Sequence, residues 1–476
     1  MLKKRNEFEG RYALFRNEIR GEILSGAIRP GEFLLSEVTL GERYNLSRTS
    51  VRRVLAELEA DGLIEKMPGK GNRVRQPERK YEKRPLKVAC FSESYEIPIL
   101  HKTIRLFEQA YPHVKVELAV LPTANYVASV LHSFEGEQAP DVVLVSEFHL
   151  RQIGQAGKLD ALLSSAPDEW DGAEDVYPGV LRMFTEGARL KAVPLVFSPV
   201  VYCYNTELIP DPASVRLDDW DDLLALAQRY TLADEQGNKQ QYGFGFSISG
   251  NRWSSFLLQN GGAFYEEDGS TPSFAGERTE EAFQFCLDLM YKHQVSPISI
   301  HGSTRLVEDL FIRNKVAVVL STYYFMSEFR HNGMNWDVLP VVPGNRTKGT
   351  TLIGGGLAIR SGTDQEKLAR TFAEFMLGRE AQAVIKREGC TLPARASVAE
   401  DESLWNPDVH PKHYGAFRDV VPHARSLNEL GVAQDKIDML QRELVLLWSN
   451  LESPGEACRR IEPLLAREEP GVRGAK

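Results

Sequence analysis

The chain has 476 residues, 42% of them hydrophobic and 26% charged, with a formal net charge of −9. That length predicts two or three lobes rather than one core, and the composition is that of a globular protein, not a fibrous or disordered one. No stretch approaches about 18 uncharged apolar residues, which excludes a membrane-spanning helix.

The basic start Lys3-Lys4-Arg5 is followed by charges at Glu9, Arg11, Arg16, Glu18, Arg20 and Glu22. No signal-peptide apolar segment fits there, so a cytoplasmic protein is expected. Charge is unevenly spread: residues 1–85 hold 19 Lys/Arg against 13 Asp/Glu, and the remainder holds 38 against 53. A basic head on an acidic body points to nucleic acid at one end and another partner at the other. The cysteines, Cys90, Cys203, Cys286, Cys390 and Cys458, are scattered singly, so neither a disulfide framework nor a metal cluster is expected.

In chain order, Phe15, Ile19 and Ile23 form one stripe of an opening helix over residues 11–25. A short helix over Ser36–Tyr44 and the turn Asn45-Leu46 lead into a helix from Ser47 to Leu58, capped by Ser47 and stopped by Gly62. On the second of these helices Val51, Val54, Leu55 and Leu58 fall on one side, and Arg48, Thr49, Arg52 and Arg53 on another. Arg can bridge O6 and N7 of guanine in the major groove, and Arg and Thr can hold phosphates. Strands Leu63–Lys66 and Arg73–Arg75 around the turn Met67–Gly71 make a basic hairpin. The candidate DNA-contacting residues are therefore Arg48, Thr49, Ser50, Arg52, Arg53, Gly69, Lys70, Gly71 and Arg73.

Residues 11–76 resemble the winged-helix domain of the GntR family of bacterial transcription regulators. The phrases that carry the resemblance are Ile23-Leu24-Ser25-Gly26 with Arg29-Pro30-Gly31-Glu32, then Leu46-Ser47-Arg48-Thr49-Ser50-Val51-Arg52, Leu58-Glu59-Ala60-Asp61-Gly62-Leu63-Ile64, and Gly69-Lys70-Gly71. The resemblance implies DNA contacts from Arg48, Thr49 and Arg52, with the wing tip in the minor groove. Where that family commonly has Pro-Ser-Glu-Arg, this chain has Leu35-Ser36-Glu37-Val38. A different operator is implied.

Residues 77–85 read as a charged, proline-bounded linker. From Leu86 strands and helices alternate, which predicts a parallel sheet with helices on both faces and ligands at the carboxyl ends of the strands. Asp218 and Asp219 are expected to cap one later helix and Thr279 another. Pro140-Asp141-Val142-Val143, Gly157-Lys158-Leu159-Asp160-Ala161, Ala192-Val193-Pro194, Leu258-Gln259-Asn260-Gly261-Gly262 and Leu392-Pro393-Ala394-Arg395 resemble phrases of the type 1 extracellular solute-binding proteins, the sugar-capturing subunits of ABC importers. That resemblance covers residues 86 to about 450 and implies two α/β lobes with ligand closed between them by a hinge.

A sugar site needs aromatic faces for C–H surfaces and polar groups for hydroxyls. At expected strand ends these are Ser94, Glu147, Phe148, Asn251, Trp253, Tyr323 and Tyr324, with Gly355 letting backbone approach a ligand and Arg395 in the Pro-Ala-Arg phrase. His410-x-x-His413 is too isolated for a metal site. The acidic run Asp218–Asp222 reads as helix N-terminal charge. No catalytic arrangement declares itself, so no enzyme and no cofactor are expected.

The expected fold is an α+β winged helix-turn-helix head (1–76), a linker (77–85) and a two-lobed α/β binding-protein-like domain of type II (86–470). The expected function is a homodimeric, ligand-responsive transcription regulator on double-stranded DNA, sensing a mono- or oligosaccharide. A sugar-binding importer subunit with an added N-terminal domain is the alternative.

Overall fold

The computed structural model describes residues 2–25, 28–75, 84–92, 97–211, 217–298, 305–339 and 344–466. The expected linker lies almost wholly outside these residues, and so does Ser94. The chain divides into two compact units, residues 1–88 with 100–119, and residues 89–99 with 120–476.

The first unit begins with helix α1 (Leu2–Ser25). It starts well before the expected Arg11, because Lys, Arg and Glu between residues 3 and 9 are good helix formers that need no apolar stripe. Helix α2 (Glu37–Tyr44) is capped by Ser36, whose hydroxyl accepts from the Thr39 amide at 3.2 Å. It stops at Asn45, left-handed at φ 51°. Helix α3 (Arg48–Ala60) is capped in the same way by Ser47, which accepts from the Ser50 amide. Its end is closed by Gly62 at φ 72° and by the Leu63 amide returning to the Leu58 carbonyl at 3.0 Å, the arrangement that satisfies late helix carbonyls.

Strands β1 (Ile64–Met67) and β2 (Gly71–Val74) pair antiparallel, Ile64 opposite Val74 and Met67 opposite Gly71. Phe15, Ile19, Leu40, Val51, Val54 and Leu58 are the centre of the small core these elements share, with Phe15 and Tyr44 rings 4.7 Å apart. The same unit holds most of α4 (Ile97–Ala110) and of strand β4 (Val114–Leu121), which follow strand β3 (Arg84–Phe91). Asn17 of α1 donates to the Tyr111 hydroxyl at 3.2 Å, just beyond α4.

In the second unit come α5 (Tyr126–Ser133), β5 (Val142–Ser146), α6 (Glu147–Gln155), the small hairpin β6 (Thr185–Glu186) and β7 (Arg189–Leu190), then β8 (Val193–Pro199) and β9 (Val201–Asn205). Strands β10 (Leu232–Ala233), β11 (Lys239–Phe246), β12 (Val316–Ser321), β13 (Trp336–Val338), β14 (Thr350–Ile359), β15 (Leu392–Pro393) and β16 (Ala424–Arg425) follow. One sheet runs β15-β8-β14-β5-β3-β4, with β16 also paired to β14; the other runs β10-β11-β12-β9-β13.

The sheets are mixed, not parallel as expected. β14 is antiparallel to β5 and β8, and β12 to β9, while β11 and β12 are parallel. Only Val200 separates β8 in one sheet from β9 in the other. The strands that pair with them, β14 and β12, come from later in the chain and run opposite to β8 and β9, so the sheets are not built from successive parallel crossovers alone. At the junction, the Val200 amide donates to the Thr351 carbonyl and the Thr350 hydroxyl to the Val200 carbonyl, both at 2.8 Å. The passage from β8 to β9 between the sheets is thus hydrogen-bonded to the start of β14, the arrangement of a hinge.

Asp219 caps the helix Trp220–Arg229 as expected. Thr279 does not cap; it is buried inside the helix Glu277–Leu287, which begins after Gly276. Tyr202, Phe244, Phe246, Phe256, Phe264 and Phe274 fill the core against the smaller sheet. That packing is close enough that a Cβ on Gly243 would lie 1.8 Å from the Ala227 carbonyl oxygen of the neighbouring helix. Among the described residues no helix is long and apolar enough to cross a membrane.

Candidate DNA interface and ligand cleft

On the head, α3 buries Val51, Val54, Leu55 and Leu58 and leaves Arg48, Thr49, Arg52 and Arg53 exposed. Ser50 is half-buried and shares a hydroxyl–hydroxyl bond with Ser47 at 2.9 Å. The side chains differ in freedom. Arg48 and Lys70 meet no carboxylate among the described residues, whereas Arg52 donates to Glu37 at 2.8 Å and Arg53 lies 3.9 Å from Glu57. Gly69, at φ 74°, and Gly71, at φ 104°, shape the hairpin tip that presents Lys70. Arg73 lies lower on β2 and is paired to Glu65, which Arg75 also approaches at 3.5 Å. The Arg73 hydrogen bond, with the charge of Arg75 beyond it, holds the Glu65 carboxyl below its ordinary range. Arg75, read from the sequence as flanking the hairpin but left out of the candidate contacts, is exposed there, and so is Lys66, which the sequence reading did not single out.

The body contains a cleft of about 660 Å³. Glu147 and Phe148 reach it from the start of α6, Asn251 from the helix Gly250–Gln259, and Tyr324 from the helix Tyr323–His331. These four were expected. Asn125, Tyr126, His149, Arg252, Arg305 and Phe325 line it too and were not foreseen, because they lie inside elements or in loops instead of at strand ends; Phe91, the last residue of β3, also lines it and was passed over for the residues that follow the strand. Phe325 was the most findable, being the third aromatic in Tyr323-Tyr324-Phe325.

Other expected ligand residues are placed elsewhere. Trp253 is 2% exposed and packs on Phe264 and Phe283 in the core. It lies two residues after Asn251, about 200° round the helix, so the two cannot share a face. Arg395 donates to Asp175 at 2.9 Å as a structural clamp. Burial raises the Asp175 carboxyl, but hydrogen bonds from Ser397 and Arg395 outweigh it and hold the group below its ordinary range. Tyr323 is buried beneath the cleft, stacked on Tyr324 at 4.1 Å. Gly355 is not on the cleft wall. The glycine run serves strand packing, since a Cβ on Gly354 would lie 3.0 Å from the Val196 carbonyl oxygen and one on Gly356 2.8 Å from that of Val193.

The electrostatics of the cleft are self-contained. Arg252 is buried against Glu308 at 3.4 Å and donates to Asn251 at 2.9 Å. Burial pushes the Glu308 carboxyl up against the pull of Arg252, and pushes the Arg252 guanidinium down against the pull of Glu308. Arg305 is held by Glu328 at 2.6 Å and lies over the Phe325 ring. Glu147 is raised by burial, opposed by the charge of Arg151 and by the Gly354 amide. His149, pushed down to about 4 by burial, is neutral. Its Nδ1 accepts from the Ser146 amide while its own amide donates to the Ser146 hydroxyl. Such a cleft offers aromatic faces and hydrogen-bonding groups without net unpaired charge, which suits a neutral, hydroxylated molecule.

The class defined by this fold is a two-sheet, hinged solute-binding protein preceded by a winged helix. Residues 93–383 match the bacterial extracellular solute-binding protein family, and the chain belongs to that family. Residues 13–74 match the bacterial regulatory proteins of the gntR family, so the head is a GntR-type winged helix.

The head is similar to the arabinose metabolism transcriptional repressor of Geobacillus stearothermophilus, 36% identical over 70 residues, which are 15% of this chain and 19% of that protein. It is also similar to a probable fructoselysine utilization operon transcriptional repressor of Escherichia coli, 32% identical over 82 residues, 17% of this chain and 33% of that one. The chain thus spans a third or less of these two relatives. The body has the fold of an ABC substrate-binding protein of Listeria monocytogenes in complex with cycloalternan, with a TM-score of 0.67, 19% identity, and coverage of 81% of this chain and 98% of that one. A Thermotoga lettingae solute-binding protein bound with α-D-tagatose aligns with a TM-score of 0.68 and 18% identity, covering 80% and 99%.

Proposed function

We propose that this protein is a transcription regulator that binds double-stranded DNA through α3 and the hairpin tip and senses a mono- or oligosaccharide in the cleft of its body. The observation that carries the reading is a contrast in charge pairing. In the cleft Arg252 and Arg305 are each paired with a glutamate of the protein and the buried Glu147 accepts from the Gly354 amide, which suits a neutral sugar; on the head, Arg48 and Lys70 are exposed and meet no carboxylate among the described residues, which suits phosphate or guanine recognition. The solved structures of this fold in complex with cycloalternan and tagatose, and the repressors of arabinose and fructoselysine metabolism among the head's relatives, support the same reading.

The organisation is a head over residues 1–76, a linker over 77–85 and a two-lobed sensor over 86–470. The protein acts in the cytoplasm as a homodimer, by binding and not by turnover. Saccharide favours the closed sensor in proportion to its differential affinity for the two states. Closure alters the spacing of two heads, which must match half-sites one or more helical turns apart. Because α1 and Tyr111 are joined in one compact unit, displacement of α4 is felt by the reading helix.

The test pairs two measurements on the purified chain: a thermal-shift screen of mono- and oligosaccharides, and DNA affinity by fluorescence anisotropy with fragments selected from genomic DNA. A saccharide that raises the melting temperature is expected to change the DNA affinity as well. A saccharide that stabilises the protein while leaving DNA affinity unaltered overturns the reading.

A further inference from the structure

A second cavity, of about 680 Å³, lies on the other side of β14. Ile353 faces the cleft and Leu352 faces this rear cavity, as neighbours on a strand must. Tyr177, Arg182, Glu400, Arg418, Asp419 and Arg425 supply its polar wall.

Charge pairing here differs from that in the cleft. Arg182 is matched by Glu429 at 2.7 Å. Arg418 is matched by Glu402 at 2.5 Å, yet its Nε is buried with no hydrogen-bond partner among the described residues. Arg425 sits on β16 opposite Thr351 of β14. Its Nη1 donates only to the backbone carbonyls of Pro422 at 3.2 Å and Ala424 at 3.0 Å, and among the described residues it meets no carboxylate. Beside it stand two carboxylates able to accept from hydroxyls: Glu400, which already accepts from Tyr177 at 3.0 Å, and the exposed Asp419.

We propose that the rear cavity binds a second small metabolite, a hydroxylated molecule carrying an oxyanion, either phosphate or carboxylate. Arg425 takes the oxyanion and the carboxylates of Glu400 and Asp419 take hydroxyls. A guanidinium forms its strongest hydrogen bonds with such oxygens, whereas a neutral sugar would leave Arg425 as hydrated as it is now. Since β14 is the wall common to both cavities, the rear ligand modulates the sensor through the hinge strand, by whatever difference in affinity it has for the open and closed states. The assignment does not depend on what the cleft binds.

Isothermal titration of the full chain with glucose 6-phosphate, glucuronate and glucose tests this. At least one anionic probe is expected to bind, and which one does so distinguishes a phosphate from a carboxylate ligand. Arg425→Ala should weaken that binding about tenfold or more, the size of a lost charged hydrogen bond, with part of it restored in Arg425→Lys. Any response to glucose should be the same in Arg425→Ala as in the wild type. Tyr324→Ala, which alters only the cleft, should leave anion binding intact. Absence of binding by both anionic probes, wild-type affinity in Arg425→Ala, or loss of anion binding in Tyr324→Ala overturns the assignment.

Discussion

The carboxylate of Glu147 accepts a hydrogen bond from the Gly354 amide at 3.2 Å, joining the first residue of α6 to the strand that divides the two cavities. Burial raises this carboxyl, so the folded protein holds the proton more readily than the unfolded chain does. Stability from that proton is fully present below the ordinary Glu value of about 4.3 and is lost as pH rises through the raised folded value. Glu147→Gln removes this dependence, while the buried Glu308 contributes equally to both proteins. The melting temperature of the variant should therefore fall less than that of the wild type between acid and neutral pH. Parallel profiles would show that Glu147 does not titrate differently on folding.

Trp253 and Tyr324 should separate stability from ligand binding. Trp253→Ala empties a core site and is expected to cost about 3–5 kcal/mol in denaturant unfolding, with no preferential effect on any ligand. Tyr324→Ala should reduce the saccharide-induced rise in melting temperature and change unfolding of the free protein much less. A stable Trp253→Ala protein, or undiminished saccharide stabilisation in Tyr324→Ala, would contradict the placement of these side chains.

Arg48 meets no carboxylate among the described residues, so truncating it disturbs nothing in the free head. Arg48→Ala should weaken specific DNA binding by about 1–3 kcal/mol if it reads a base, and affinity for all fragments should decline with salt. Anisotropy titrations at several salt concentrations measure both. Equal loss on specific and random DNA would make Arg48 a phosphate contact instead.

Gly356→Ala should destabilise the body by about 1–3 kcal/mol through overpacking, since its Cβ would lie 2.8 Å from the Val193 carbonyl oxygen and 3.3 Å from Phe184. Gly355→Ala is the control, with a nearest neighbour at 3.4 Å. Chemical denaturation of the pair reads the difference, and equal stability would mean that the β8–β14 pairing yields to the methyl group.

Asn17→Ala removes the bond from α1 to Tyr111 without touching DNA or cleft residues. DNA affinity of the free protein and saccharide affinity should both persist, while the change in DNA affinity on adding saccharide shrinks. An undiminished change would place the coupling on another route.

Local signals along the chain determined the head almost completely. Ser36 and Ser47 cap where hydroxyl-bearing residues precede an apolar period, Asn45 and Gly62 stop helices where left-handed backbone is needed, and the fourfold apolar side of α3 buries as its spacing requires. These are interactions within a few residues, so sequence alone specifies them. The body's strands and helices were also foreseeable as elements, together with Glu147, Phe148, Asn251 and Tyr324 at the cleft. What only the tertiary structure decided is how those elements meet: that β14 and β12 pair antiparallel to β8 and β9 and make the sheets mixed, that Trp253 turns into the core while Asn251 turns out, and that Arg395 closes on Asp175. Those outcomes depend on partners beyond the local window, from Phe264 and Phe283 for Trp253 to Asp175 for Arg395, 220 positions away, and no pattern of neighbouring residues encodes which of two faces such a partner will cover.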